Sequence, residues 1–201
     1  MSIKNDEITV ETGIIKILCK VWKKHIFPNG FYITWFMLSS LILLLSILSV
    51  HFDFIKISWL PFSSFIFPGV TGLSFSITML SATRNLFSIE DLAAMFNFFD
   101  PEDNDISEKG DVFYRTLAPY ITASLLWLLI SMIALIGSII DLDISKISGI
   151  PYLNIIQMVV LSFYYSMVIA GLLNLWYLIS VHLEDVSIKV ELELNGKRRK
   201  K

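Results

Sequence analysis

Few residues in this chain have the types and spacing for chemistry. Gly72-Leu73-Ser74-Phe75-Ser76 reads as half of a nucleophile elbow, but the closing glycine is missing. A serine also needs an adjacent base to attack. His25, His51 and His182 all fall outside the apolar run that holds Ser74. The stretch 100–111 has the acidity of a calcium loop. That loop wants glycine at position 6 and glutamate at position 12, where this chain has Asp105 and Asp111, and Pro101 stands second. A solvated acidic turn is the better reading. The single cysteine, Cys19, can form neither an internal bridge nor a paired-thiolate metal site. No phosphate-binding glycine loop or zinc spacing occurs. No catalytic residue, cofactor site or metal site is expected, and the chain does not read as an enzyme.

The elements that remain are those of a membrane protein. The 201 residues are 55% hydrophobic and only 17% charged, where soluble domains carry about a quarter charged residues. Four blocks reach the ~20 apolar residues that a transmembrane helix needs: 31–50, 57–80, 117–140 and 155–181. None contains Asp, Glu, Lys, Arg or His. Backbone amides in hydrocarbon need internal partners, so all four are predicted as helices. About thirty largely polar residues precede the first span, so no cleaved leader is expected.

Orientation follows from lysine and arginine. The stretch before span one holds five, the loop 81–116 holds three and the tail holds six, while the other two loops hold one each, Lys56 and Lys146. Both termini and the central loop are therefore expected in the cytoplasm. The predicted fold class is an all-α membrane protein, N-in/C-in. It comprises an N-terminal segment, 1–30, a four-helix domain, 31–181, and a tail, 182–201.

Three cytoplasmic features stand out. Residues 14–24 form a basic amphipathic helix, with Ile14, Leu18, Val21 and Trp22 on one side and Lys16, Lys20, Lys23 and Lys24 mostly on the other. It reads as an interfacial anchor on anionic lipid. In the acidic central loop, Ser88 and Asp91 open a helix whose Phe96, Phe98 and Phe99 should be covered by the membrane, a sibling subunit or a partner. In the tail, Val186, Ile188, Val190, Leu192 and Leu194 alternate with polar residues, which predicts a short β-strand. A lone strand needs a second strand, from this chain, a sibling or a soluble partner. The final basic run, with Arg198 and Arg199, suits anionic headgroups. No aromatic residue is interleaved with it, so direct nucleic-acid binding has no support.

Uncharged spans argue against proton coupling and voltage sensing. Pro68, Gly69 and Gly72 predict a break or kink in span two, a candidate gate. Ser162, Ser166, Ala170 and Asn174 line one stripe of span four, where small residues allow close helix approach, within the chain or in a homo-oligomer.

In whole-chain layout the sequence resembles the membrane subunit of the Kiwa anti-phage system. That resemblance implies a bacterial inner-membrane protein that assembles with a soluble partner carrying the nucleic-acid-directed activity. The expected function is a membrane scaffold and sensor of a defence complex. The alternatives are an oligomeric channel or depolarising effector, and an immunity protein against a pore-forming bacteriocin.

Overall fold

The computed structural model describes residues 14–24, 27–51, 60–98, 108–139 and 153–199. They form helices α1 (Ile14–Lys24), α2 (Asn29–His51), α3 (Ile66–Leu86), α4 (Ile89–Asn97), α5 (Asp111–Ile139) and α6 (Leu153–Arg199), with a 3-10 turn at Phe62–Phe65. Four of these elements are long and apolar enough to cross a bilayer: Asn29–Ser49, Phe62–Leu86, Asp111–Ile139 and Met158–Glu191. This is the architecture of a multi-pass membrane protein. Phe36, Met37, Leu44, Leu128, Met132, Phe163 and Trp176 face outward. A lipid solvent covers such a surface, whereas water would not tolerate it.

The centre of the bundle is α5 against α3 and α6. Lipid tails are as apolar as leucine, so helices in a bilayer associate through close packing and hydrogen bonds. Trp127 supplies the packing. It is buried with Ile130, Ala134, Tyr164 and Val168. A Cβ on Gly72 of α3 would stand 2.5 Å from Trp127 Cε2, and one on Gly171 of α6 would stand 3.0 Å from its Cζ2. The two glycines are thus the slots that admit the indole. Gly69 likewise admits Ser131.

The helix break expected at Pro68, Gly69 and Gly72 is absent. Pro68 occupies the first turn of α3, directly after the 3-10 turn. Its missing N–H has no intrahelical acceptor to lose there. The helix then runs unbroken through both glycines to Leu86. An interior proline does occur in α5, at Pro119, which supplies no N–H to the helical ladder.

The tail strand is also corrected. Residues 186–194 are helical, within one 47-residue helix that begins at Leu153. A strand here would have to find a partner before its backbone was satisfied. Continuing span four satisfies each N–H locally, and Leu, Glu and Lys are good helix formers.

α2 stands at the edge and, among the described elements, packs against α6. Its attachment is polar. Trp35 Nε1 donates to the carbonyl (3.0 Å) and the hydroxyl (3.1 Å) of Ser166. The Ser39 and Ser166 hydroxyls meet at 2.7 Å, and those of Ser46 and Ser162 at 3.3 Å. Ser162 and Ser166 of the small-residue stripe are therefore engaged within the chain by α2, the packing alternative of the two expected there. Ala170 and Asn174 are buried as well.

Candidate functional site: a polar seam and an apolar cavity at one end of the bundle

The end of α3, the whole of α4, the start of α5, the projecting part of α6 and α1 gather at one end of the bundle. Local sequence sets each piece. Ser88 caps α4: its hydroxyl accepts from the Asp91 N–H at 3.1 Å, while its own N–H donates to Asp91 Oδ2 at 2.9 Å. This is the capping box expected from the sequence. α5 begins after Gly110, whose φ of +91° only glycine adopts easily. The Asp111 carboxylate accepts the Glu108 N–H at 2.9 Å and closes that turn. The remainder of the acidic loop, including Asp100 and Asp105, lies outside the described residues.

One face of α6 reads three neighbouring helices. His182, Asp185 and Lys189 follow helical spacing. His182 Nδ1 shares a hydrogen bond with Thr83 Oγ1 of α3 at 3.0 Å. Asp185 Oδ2 accepts from the Tyr120 hydroxyl of α5 at 3.1 Å. Lys189 Nζ reaches Asp91 Oδ2 of α4 at 2.8 Å. Thr83 and Tyr120 are fully buried, so these bonds replace lost water. The Lys189 ammonium, and then the Ser88 N–H and hydroxyl, hold the Asp91 carboxyl down at about 2 from its ordinary 3.8. The seam ties α6 to three neighbouring helices through these bonds.

Beside the seam lies a cavity of about 290 Å³ between α3, α4 and α5. Leu80, Leu92, Met95, Leu117 and Ile121 supply apolar walls, and Arg84 supplies the one charge among its lining residues.

The residues singled out from sequence fall as follows. Phe96 packs inside the chain, edge-on to Phe113 at 5.9 Å and Tyr114 at 6.4 Å. It is half-buried against α5. Phe98 is exposed, and Phe99 lies outside the described residues. α1 spans the expected residues, but Val21 is buried against Tyr114 and Ala118 of α5, so protein takes its apolar edge. Lys20 stands 5.4 Å over the Tyr114 ring, and Lys16 and Lys23 are exposed. The side chains of Lys24, Arg198 and Arg199 lie outside the described set. On α6, Val186 is half-buried, while Ile188 and Val190 are exposed. The side chains of Leu192 and Leu194 are not among those described.

The elbow serine, Ser74, lies on the exposed side of α3, and the neighbouring Ser76 hydroxyl donates to the Gly72 carbonyl at 2.8 Å. Among the described residues no three of His, Cys, Asp or Glu come together. Asn174 is fully buried, and its Oδ1 and Nδ2 have no hydrogen-bond partner. The seam was missed from sequence because its signal, His182-Asp185-Lys189, has helical period and the tail read as a strand. Trp35, Ser39 and Ser46 were missed because an apolar span hides which of its serines meets a neighbour. Comparison with protein families, with curated proteins and with solved structures returns no match.

Proposed function

We propose that this chain is a bacterial inner-membrane scaffold and sensor that holds a soluble effector at the cytoplasmic face, in the manner of the anti-phage membrane subunit its layout resembles. The observation that carries the reading is the length of α6. Its 47 residues make about 70 Å of helix at ~1.5 Å each, more than twice the ~30 Å of bilayer hydrocarbon. Much of α6 must project from the membrane. It leaves with Leu183, Ile188 and Val190 exposed, apolar anchors of the kind a partner's groove accepts from a helix. The seam ties the base of that projection to α3, α5 and α4, so a tilt of span four in a disturbed envelope would be felt by the docked effector.

Orientation and function have separate tests. A reporter enzyme that works only outside the cytoplasm should stay inactive when fused to either terminus. Deleting residues 186–201 should leave the protein in the membrane, abolish co-purification of a stoichiometric soluble protein and abolish phage protection. Full partner binding by the truncated chain would refute docking by the tail. Purification as a self-oligomer that conducts ions would favour the channel reading instead. A monomer that protects against one pore-forming toxin would favour the immunity reading.

A further inference from the structure

The cavity between α3, α4 and α5 has a position, a lining and a charge that together define a ligand class. Its volume, about 290 Å³, is near the ~300 Å³ lower bound of small-molecule sites. Its position is the boundary between hydrocarbon and headgroups. Arg84 lies in the last turn of α3, where the second span ends at Leu86. Leu117 and Ile121 belong to the opening turns of the apolar part of α5. Apart from Arg84 and Thr116 every lining side chain is apolar, and the Thr116 hydroxyl already donates to the Val112 carbonyl at 2.9 Å.

Charge is the second observation. Arg84 is exposed, and no hydrogen bond or ion pair engages its side chain among the described residues. Of the two carboxylates in the first turn of α4, Glu90 and Asp91, Asp91 is taken by Lys189. Arg84 is thus a basic group at the mouth of an apolar hole, at headgroup height. Basic pockets between transmembrane helices at this level bind anionic lipid headgroups.

We propose that this cavity is a binding site for one anionic phospholipid of the surrounding leaflet, with an acyl chain between Leu92, Met95 and Ile121 and the phosphate on Arg84. The guanidinium offers a planar fork of donors that matches phosphate oxygens. A zwitterionic lipid would meet the same walls but bring a compensating cation to Arg84. The site rests on the cavity alone and stands whether or not the chain serves a defence complex.

The test is native mass spectrometry of the full chain in mild detergent, titrated with dioleoyl phosphatidylglycerol or dioleoyl phosphatidylcholine. One basic residue beside an anionic headgroup corresponds to roughly a fivefold preference. The wild type should retain phosphatidylglycerol by about that factor. Arg84→Gln should bring the two lipids to parity. Met95→Trp, which fills the cavity from α4, should lose both. Equal retention of the two lipids by the wild type, or an unchanged ratio in Arg84→Gln, would overturn the proposal. Displacement of phosphatidylglycerol by equimolar oleate would overturn its assignment to a phospholipid. Arg84 is exposed, so its variant tests the site even if Met95→Trp fails to fold.

Discussion

Gly72→Ala is the most direct test of how this bundle is held. The new methyl would stand 2.5 Å from Trp127 Cε2, at least about 1 Å inside the optimal carbon separation of ~3.5–4.0 Å. The indole cannot retreat. It is 1% exposed, and the backbone of Gly171 is already so close that a Cβ there would stand 3.0 Å from the ring. Either α3 moves away from α5 or the ring leaves its rotamer. Overpacking of this kind costs about 1–3 kcal/mol. Alanine regains up to ~1 kcal/mol over glycine in helix propensity. Three ring carbons of Trp127 lie within that overlap, which places the cost in the upper part of the range, so the net expectation is a loss of about 1–2 kcal/mol. The assay is reversible unfolding of the purified protein in mixed micelles as the mole fraction of a denaturing detergent rises, followed by circular dichroism. Gly30→Ala is the control, because nothing lies within 4 Å of its Cβ position. The decisive variant is the pair with Trp127→Leu. With the indole gone, the added methyl has room, and Gly72→Ala should cost almost nothing in that background. An equal cost with and without Trp127, or no cost in the wild type, would refute the slot.

Three further outcomes follow from the same contacts. Ser166→Ala removes the hydroxyl shared by Trp35 and Ser39 and should cost about 0.5–1.5 kcal/mol, whereas Ser180→Ala, whose hydroxyl bonds only its own helix at Trp176, should be neutral in the same unfolding assay. Asn174→Leu should raise stability by about 1 kcal/mol or more, because a buried amide without partners costs ~1–3 kcal/mol; a destabilised variant would show that the amide is satisfied. The Asp91–Lys189 bond should hold at neutral pH and fail in acid. The carboxyl is depressed in the fold, so its stabilisation is complete above about 3.8 and disappears as pH falls toward about 2. Spin labels at Ala93→Cys and Ser187→Cys, with Cys19→Ser, should report α4 and α6 separating across that window, and the step should vanish in Asp91→Asn.

The four membrane helices were legible because hydrocarbon imposes one constraint everywhere: no charge and a sufficient length. The α4 cap was legible because a serine and an aspartate three residues apart can satisfy each other without any distant partner. Non-local features were not legible. The alternation from Val186 to Leu194 is real in the sequence, yet a strand is defined by a neighbour that the residues themselves do not name. A helix already begun at Leu153 needs none. Once the tail is helical, its polar residues regroup as His182, Asp185 and Lys189, which meet α3, α5 and α4. Gly69 and Gly72 carry the same ambiguity, since a missing side chain in a span can mean a hinge or a socket. The facing residue decides, and here it is Ser131 for one and Trp127 for the other.

The contact of α2 with α6 also fixes an order of events at the ribosome. Among the described membrane helices α2 is made before the others, and the one described helix it packs against, α6, is made after them. Ser39 and Ser166 are 127 residues apart, roughly 6–25 s of synthesis at ~5–20 residues per second. Throughout that interval α2 must persist in lipid without the hydroxyls it will later meet. Ser46 can wait at little cost by donating to the Ile42 carbonyl at 2.7 Å, and a bond within one helix needs no later element. The Trp35 N–H has no such local outlet in the structure, because both of its acceptors belong to Ser166. Arrival of α6 is therefore what attaches α2, and a nascent chain halted before Ser166 would carry α2 inserted but without these bonds.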